Sequence, residues 1–177
     1  ADIEVMPTDA PKDITPKKSS LKLPETKHLI VAHGKREGPY HYSPSATLTF
    51  EQLDLIRVPG DSLSLLSLLP HEAVRPGDSW KPETWAVQML TGIEAMTKGE
   101  INCKLEEATD ATARVTFNGS AEGATVGATA GVSVVGELTF DRQQKLITKL
   151  RVKQTEKRSV GAVTPGMEVT ANVMLER

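Results

Sequence analysis

The chain has 177 residues, enough for one domain with a sizeable core and too few for a second full one. Its 21 Lys and Arg are interleaved with 23 Asp and Glu, giving a formal charge of −2 and no basic stripe, which argues against a nucleic-acid partner or an anionic membrane surface. No apolar run approaches the roughly 20 residues that span a bilayer as a helix, so no transmembrane segment is expected.

Residues 1–27 carry Pro7, Pro11, Pro16 and Pro24 among Asp, Lys, Thr and Ser. Proline at such intervals fixes φ and removes donors, which predicts an extended arm or linker with at most a short strand at Ile3 to Met6. Residues 28–177 read as a single β-rich domain. Lys27 to Ala32 is of strand type, and the charged stretch Gly34 to Pro39 reads as the loop that ends it. Tyr40 and Tyr42 flank His41. Thr49 followed by Gln52 forms a capping box for a two-turn helix with Phe50, Leu53, Leu55 and Ile56, stopped by Pro59 and Gly60. The run LSLLSLLP at 63–70 suits a short buried helix better than a strand. Pro76, Gly77 and Asp78 form a turn that delivers Trp80. A main helix over about 82–97 follows, with Pro82 at its start, a stripe of Trp85, Met89, Ile93 and Met96, and Gly99 at its end.

From Glu100 the pattern has period two. Ile101, Cys103 and Leu105 predict one strand, Thr109 and Asp110 a turn, and Ala113, Val115 and Phe117 the next strand. The stretch Val132 to Lys157 predicts two long strands joined at Asp141 to Gln144. Val132, Val134, Gly136, Leu138 and Phe140 lie on one face, continued on the return by Leu146, Thr148, Leu150 and Val152. Met167, Val169, Ala171, Val173 and Leu175 give a last strand. The expected fold is α+β and mostly antiparallel β: a curved C-terminal meander or incomplete barrel packed against one main helix.

The stretches SPSATLTFEQLDLIRVPGDSLSLLSLLPHEAVRPGDSW, GELTFD and KRSVGAVTPGMEVT resemble a family of uncharacterised exported β-rich proteins from planctomycete bacteria. The likeness covers about 42–177 and is most specific from Leu53 through Trp80. It implies an extracytoplasmic setting, periplasmic or secreted, and a longer parent chain with a signal peptide and further β-rich segments ahead of the matched region. It implies no reaction. The start at Ala1-Asp2, without an initiating methionine, fits a processed product or a fragment.

The candidate chemistry is sparse. His28, His33, His41 and His71 show neither HxH nor HExxH spacing, so no metal site is expected. No GxSxG elbow occurs, and Glu106 and Glu107 fall on opposite faces of a strand. Gly119, Gly123, Gly127 and Gly131 lack both the GK[ST] and the GxGxxG context, which makes them a flexible hairpin end or thin strand tips of Ala, Gly and Thr rather than a phosphate loop. Cys103 is the single cysteine, in phase with Ile101 and Leu105, and reads as a small buried hydrophobe. Lys149, Arg151 and Lys153 stand side by side along about 13 Å of the wet face. No catalytic residue and no cofactor is expected. The nominated ligand-binding set is Trp85, Met89, Leu138 and Leu150, between helix and sheet. The functional expectation is a non-enzymatic exported protein binding an apolar small molecule or a protein partner through the curved sheet. The alternative is a structural or assembly subunit of a cell-envelope complex.

Overall fold

The computed structural model describes residues 2–7, 17–20, 22–35, 38–57, 64–125, 127–161 and 165–176. In chain order these contain β1 (Asp2–Pro7), β2 (Lys17–Ser20), β3 (Val31–Lys35), β4 (Gly38–Tyr42), α1 (Phe50–Arg57), a 3-10 turn at Ser64–Leu68 and β5 (Ser79–Trp80). There follow α2 (Thr84–Thr91) and the long strands β6 (Ala95–Ala108), β7 (Thr112–Thr125), β8 (Ala128–Asp141), β9 (Leu146–Arg158) and β10 (Met167–Glu176). Eight strands make one open antiparallel sheet in the order β2-β1-β10-β9-β8-β7-β6-β5, and β3 pairs with β4 as a separate hairpin.

Strict alternation builds the sheet. Ile101, Cys103, Leu105, Val115, Phe117, Val132, Val134, Leu138, Leu150 and Val152 are buried on its inner face, each in phase with its strand. Val87, Leu90 and Ile93 from α2 and its exit close over β6, β7 and β8, while Leu65 and Leu68 from the 3-10 turn complete the core beside β9. Trp80 ties that turn to the sheet, its indole N–H donating to the Leu68 carbonyl at 2.9 Å. Thr49 and Gln52 cap α1 reciprocally: the Gln52 N–H donates to Thr49 Oγ1 at 3.3 Å, and the Thr49 N–H donates to Gln52 Oε1 at 3.0 Å.

The main helix is shorter than its sequence pattern. Gly92 adopts φ 70°, and its N–H bonds the Gln88 carbonyl, ending α2 at Thr91 instead of about residue 97. Met96 then belongs to β6, where a bulge at Thr97 keeps it on the inner side. The 85/89/93/96 spacing therefore spans a helix, a turn and a strand. Because a methyl group at Gly92 would meet nothing within 4 Å, Gly92→Ala is expected to cost only the left-handed backbone term. We expect about 1 kcal/mol in urea unfolding.

Two further expectations change, and a third is met and extended. The face assigned to Leu146 and Thr148 is taken by Ile147, because the ladder passes from the Thr139/Lys149 pair directly to Phe140/Ile147 and the extra residue inverts the phase. The strand placed at Lys27 to Ala32 begins instead at Val31, after a 3-10 turn at Glu25–Lys27, and Gly38 and Pro39 belong to its partner β4. Within the proline-rich stretch, the short strand at Ile3 to Met6 exists as β1, paired with β10 over six residues, and β2 adds a further edge strand. The stops proposed at Pro59 and Gly60 lie outside the described residues.

Candidate functional site

Leu138 and Leu150 face each other across β8 and β9 and are fully buried. Met89 packs at the margin of the same core, whereas Trp85 is 56% exposed. The nominated four thus spread from the buried core to solvent. The reason lies in α2, where Trp85, Ala86, Val87, Met89 and Leu90 offer two apolar stripes and the sheet takes the one with Ala86, Val87 and Leu90. Trp85→Ala is accordingly expected to cost less than about 1 kcal/mol in chemical denaturation, as for a surface site.

Among the described residues, the cover over the inner face is incomplete. The helix packs on β6, β7 and β8, and the 64–68 turn reaches β9. Among the described residues, the extended contacts of β10 are with β9 and β1 alone. On β10, Val169, Ala171, Val173 and Leu175 are half-buried and alternate with exposed Glu168, Asn172, Met174 and Glu176, apart from half-buried Thr170. An apolar strip continuous with the core therefore remains partly open to solvent.

Next to this strip β9 turns polar on the same face. Gln154 is 8% exposed; its Nε2 donates to the Thr91 carbonyl at 3.3 Å, and its Oε1 is buried without a partner. Arg158 donates from Nε and Nη2 to Glu156 Oε1 at 2.8 and 2.6 Å, with side chains only 17% and 14% exposed. Sequence reasoning missed this trio, although alternation from Leu150 and Val152 places residues 154, 156 and 158 on the inner face.

The outer face is a lattice of mixed charge. Lys149 pairs with Glu176 at 3.1 Å, Lys157 with Glu168 at 3.5 Å, and Arg114 with Glu137 at 3.3 Å and Glu107 at 3.8 Å. A hydrogen bond from Lys81, then one from Asn102, holds the Glu100 carboxyl below its ordinary range, and Lys104 followed by Thr116 does the same for Glu106. Such exposed pairs contribute little individually. Between them a shallow groove of about 570 Å³ is lined by Val135, Glu137, Arg151, Lys153, Asn172 and Met174. Val135 and Met174 are 53% and 66% exposed.

A second concavity of about 440 Å³ lies at the end of the β3–β4 hairpin, bounded by Tyr40, His41, Tyr42, Ser43 and the chain to Leu48. His41 Nε2 and Ser43 Oγ are buried without hydrogen-bond partners, and the two tyrosine rings stand 6.0 Å apart. His71 sits exposed in the turn after the 3-10 helix. No group of three or more His, Cys, Asp or Glu is placed to hold a metal among the described residues.

Cys103 is buried, and burial pushes its thiol from 9.0 up to about 12. The native thiol should therefore resist alkylation near pH 8 and react only when urea unfolds the chain. Because its folded pKa lies above the unfolded one, this contribution to stability is intact below about pH 9 and declines as pH rises towards about 12.

Among the described residues, no helix is long and apolar enough to cross a membrane. Comparison with known proteins finds no matching family model, no matching curated protein and no matching solved structure.

Proposed function

We propose that this chain is a non-enzymatic exported binding protein that engages a partner protein through the inner face of β10 and the adjoining end of β9. The observation that carries this reading is the half-buried strip Val169, Ala171, Val173 and Leu175, apolar and continuous with the core yet free of an overlying helix among the described residues. Covering such a strip contributes about 25 cal/mol per Å² of apolar surface removed from water. Beside it, the Gln154 carbonyl oxygen is a buried acceptor lacking a donor, which a partner's N–H or O–H reaches only if docking turns the side chain outward. The exported setting is supported by the resemblance of the 42–177 region alone.

A structural role in an envelope complex is the second reading. It is favoured by the edge of β6: β5 pairs with Cys103 and Lys104, Gly77 and Asp78 bond the Leu105 backbone, and among the described residues no strand pairs with that edge from Ala95 to Asn102, where a strand could be added.

Native mass spectrometry of the chain isolated gently from its source separates these. A stoichiometric complex with another polypeptide, dissociated by Val173→Asp but not by a proline in β6, supports the inner-face reading. Dissociation by the proline alone supports strand addition. A small molecule retained on a solitary chain and lost on denaturation would replace a protein partner by an apolar ligand, and a bare chain would contradict all three.

A further inference from the structure

We infer that the outer face of β8, β9 and β10 carries a docking groove for an acidic segment of a partner protein, centred on Arg151 and Lys153. This surface is opposite the one assigned above and rests on different observations.

The first observation is how the charges are distributed. Along β9 the outward cations are Lys149, Arg151, Lys153 and Lys157, and the two at the ends are engaged by Glu176 and Glu168 on β10. Glu137 is the in-register neighbour of Arg151 on β8, yet its carboxylate is held by Arg114 from the opposite side. Among the described residues, the exposed side chains of Arg151 and Lys153 have no ion-pair or hydrogen-bond partner. A face that pairs its other β9 cations leaves these two adjacent ones unengaged.

The second observation is apolar. Register sets Val135 beside Lys153 and Met174 beside Arg151, so each free cation has an exposed apolar neighbour on an adjoining strand. The other outward positions of β10 are Glu168, Thr170, Asn172 and Glu176, so Met174 stands out on an otherwise polar row. All four side chains line the same groove of about 570 Å³.

Spacing then selects the occupant. Side chains two positions apart on one strand face are about 6.6 Å apart. Carboxylates at alternate positions of an extended segment, or one turn apart on a helix, have nearly the same separation. An acidic segment can therefore satisfy both cations at once and lay an apolar side chain on Met174 or Val135. A lipid surface fits less well, because the exposed carboxylates of Glu137, Glu168 and Glu176 around the groove would meet the same anionic plane.

The test uses the full chain and a fluorescein-labelled octapeptide with Glu at alternate positions and Leu, Ser and Thr between them, read by fluorescence anisotropy. Saturable binding is expected, weakened about tenfold or more by the double variant R151Q/K153Q and severalfold by raising salt well above about 0.15 M. Lys149→Gln, whose charge is already engaged by Glu176, should change binding by less than about twofold. All three substituted side chains are exposed, so unchanged thermal melting of the variants is expected and is checked alongside. Equal binding by R151Q/K153Q, equal binding of a peptide with Lys in place of Glu, or tighter association with phosphatidylglycerol vesicles than with the acidic peptide would overturn the inference.

Discussion

Phe117→Ala is expected to destabilise the fold by about 3–5 kcal/mol, the largest loss of any single truncation considered. Phe117 is buried in β7, with Cys103 opposite it on β6 and Gly136 opposite it on β8. Its ring occupies the space above Gly136 so closely that a Cβ there would lie 2.2 Å from the ring Cζ. The glycine supplies a floor with no side chain to move into the void, so the cavity left by alanine cannot collapse cheaply. The converse change, Gly136→Ala, must displace the ring and press on the Arg151 carbonyl, 2.7 Å from the added carbon, and should cost about 1–3 kcal/mol. Because the two residues share one volume, F117L/G136A should lose less than the sum of its single changes in guanidinium titrations. Additive losses would show that the ring does not rest on the glycine.

Leu90→Ala carries the second large effect, about 2–5 kcal/mol. Leu90 is fully buried, and with Val87 and Ile93 it joins α2 to the inner face of the sheet. Trp85 stands on the same helix and is the larger side chain, yet its truncation should cost far less. The pair therefore tests which stripe of α2 faces the sheet, with the helix itself common to both variants. If Trp85→Ala proved the more damaging, α2 would have to be rotated and the buried stripe redrawn.

The strands of the meander were legible because each runs for 10 to 14 residues with period two, and local pattern and burial agree along most of their length. Where they part, the cause is a bulge: nothing in Leu146 to Leu150 marks the extra residue that puts Ile147 rather than Leu146 or Thr148 inside. The helix failed for a different reason. Apolar residues on two sides of α2 left its orientation to the sheet, and Gly92 ended it where the hydrophobic spacing ran on undisturbed into β6. A glycine inside a periodic stretch is the signal that would have shortened it.

Of the nominated site residues, the interior pair Leu138 and Leu150 was placed correctly on the inner face, but as packed core. The open strip on β10 was visible only as another alternating strand, since the sequence does not say how far a helix reaches across a sheet. The pairing of Lys149 and Lys157, which singles out Arg151 and Lys153, depends on the β9–β10 register and was likewise beyond one-dimensional pattern.

The most direct test of the inner-face proposal places a photoactivatable side chain at Val173, on the half-covered strip, and in a separate protein at Ser120, on the outer face of β7. Irradiation in the source organism should give one discrete cross-linked polypeptide from Val173, none from Ser120, and loss of that product when Ala171 is replaced by Asp. Equal products from both positions, or none from Val173, would contradict a binding role for the open half of the sheet.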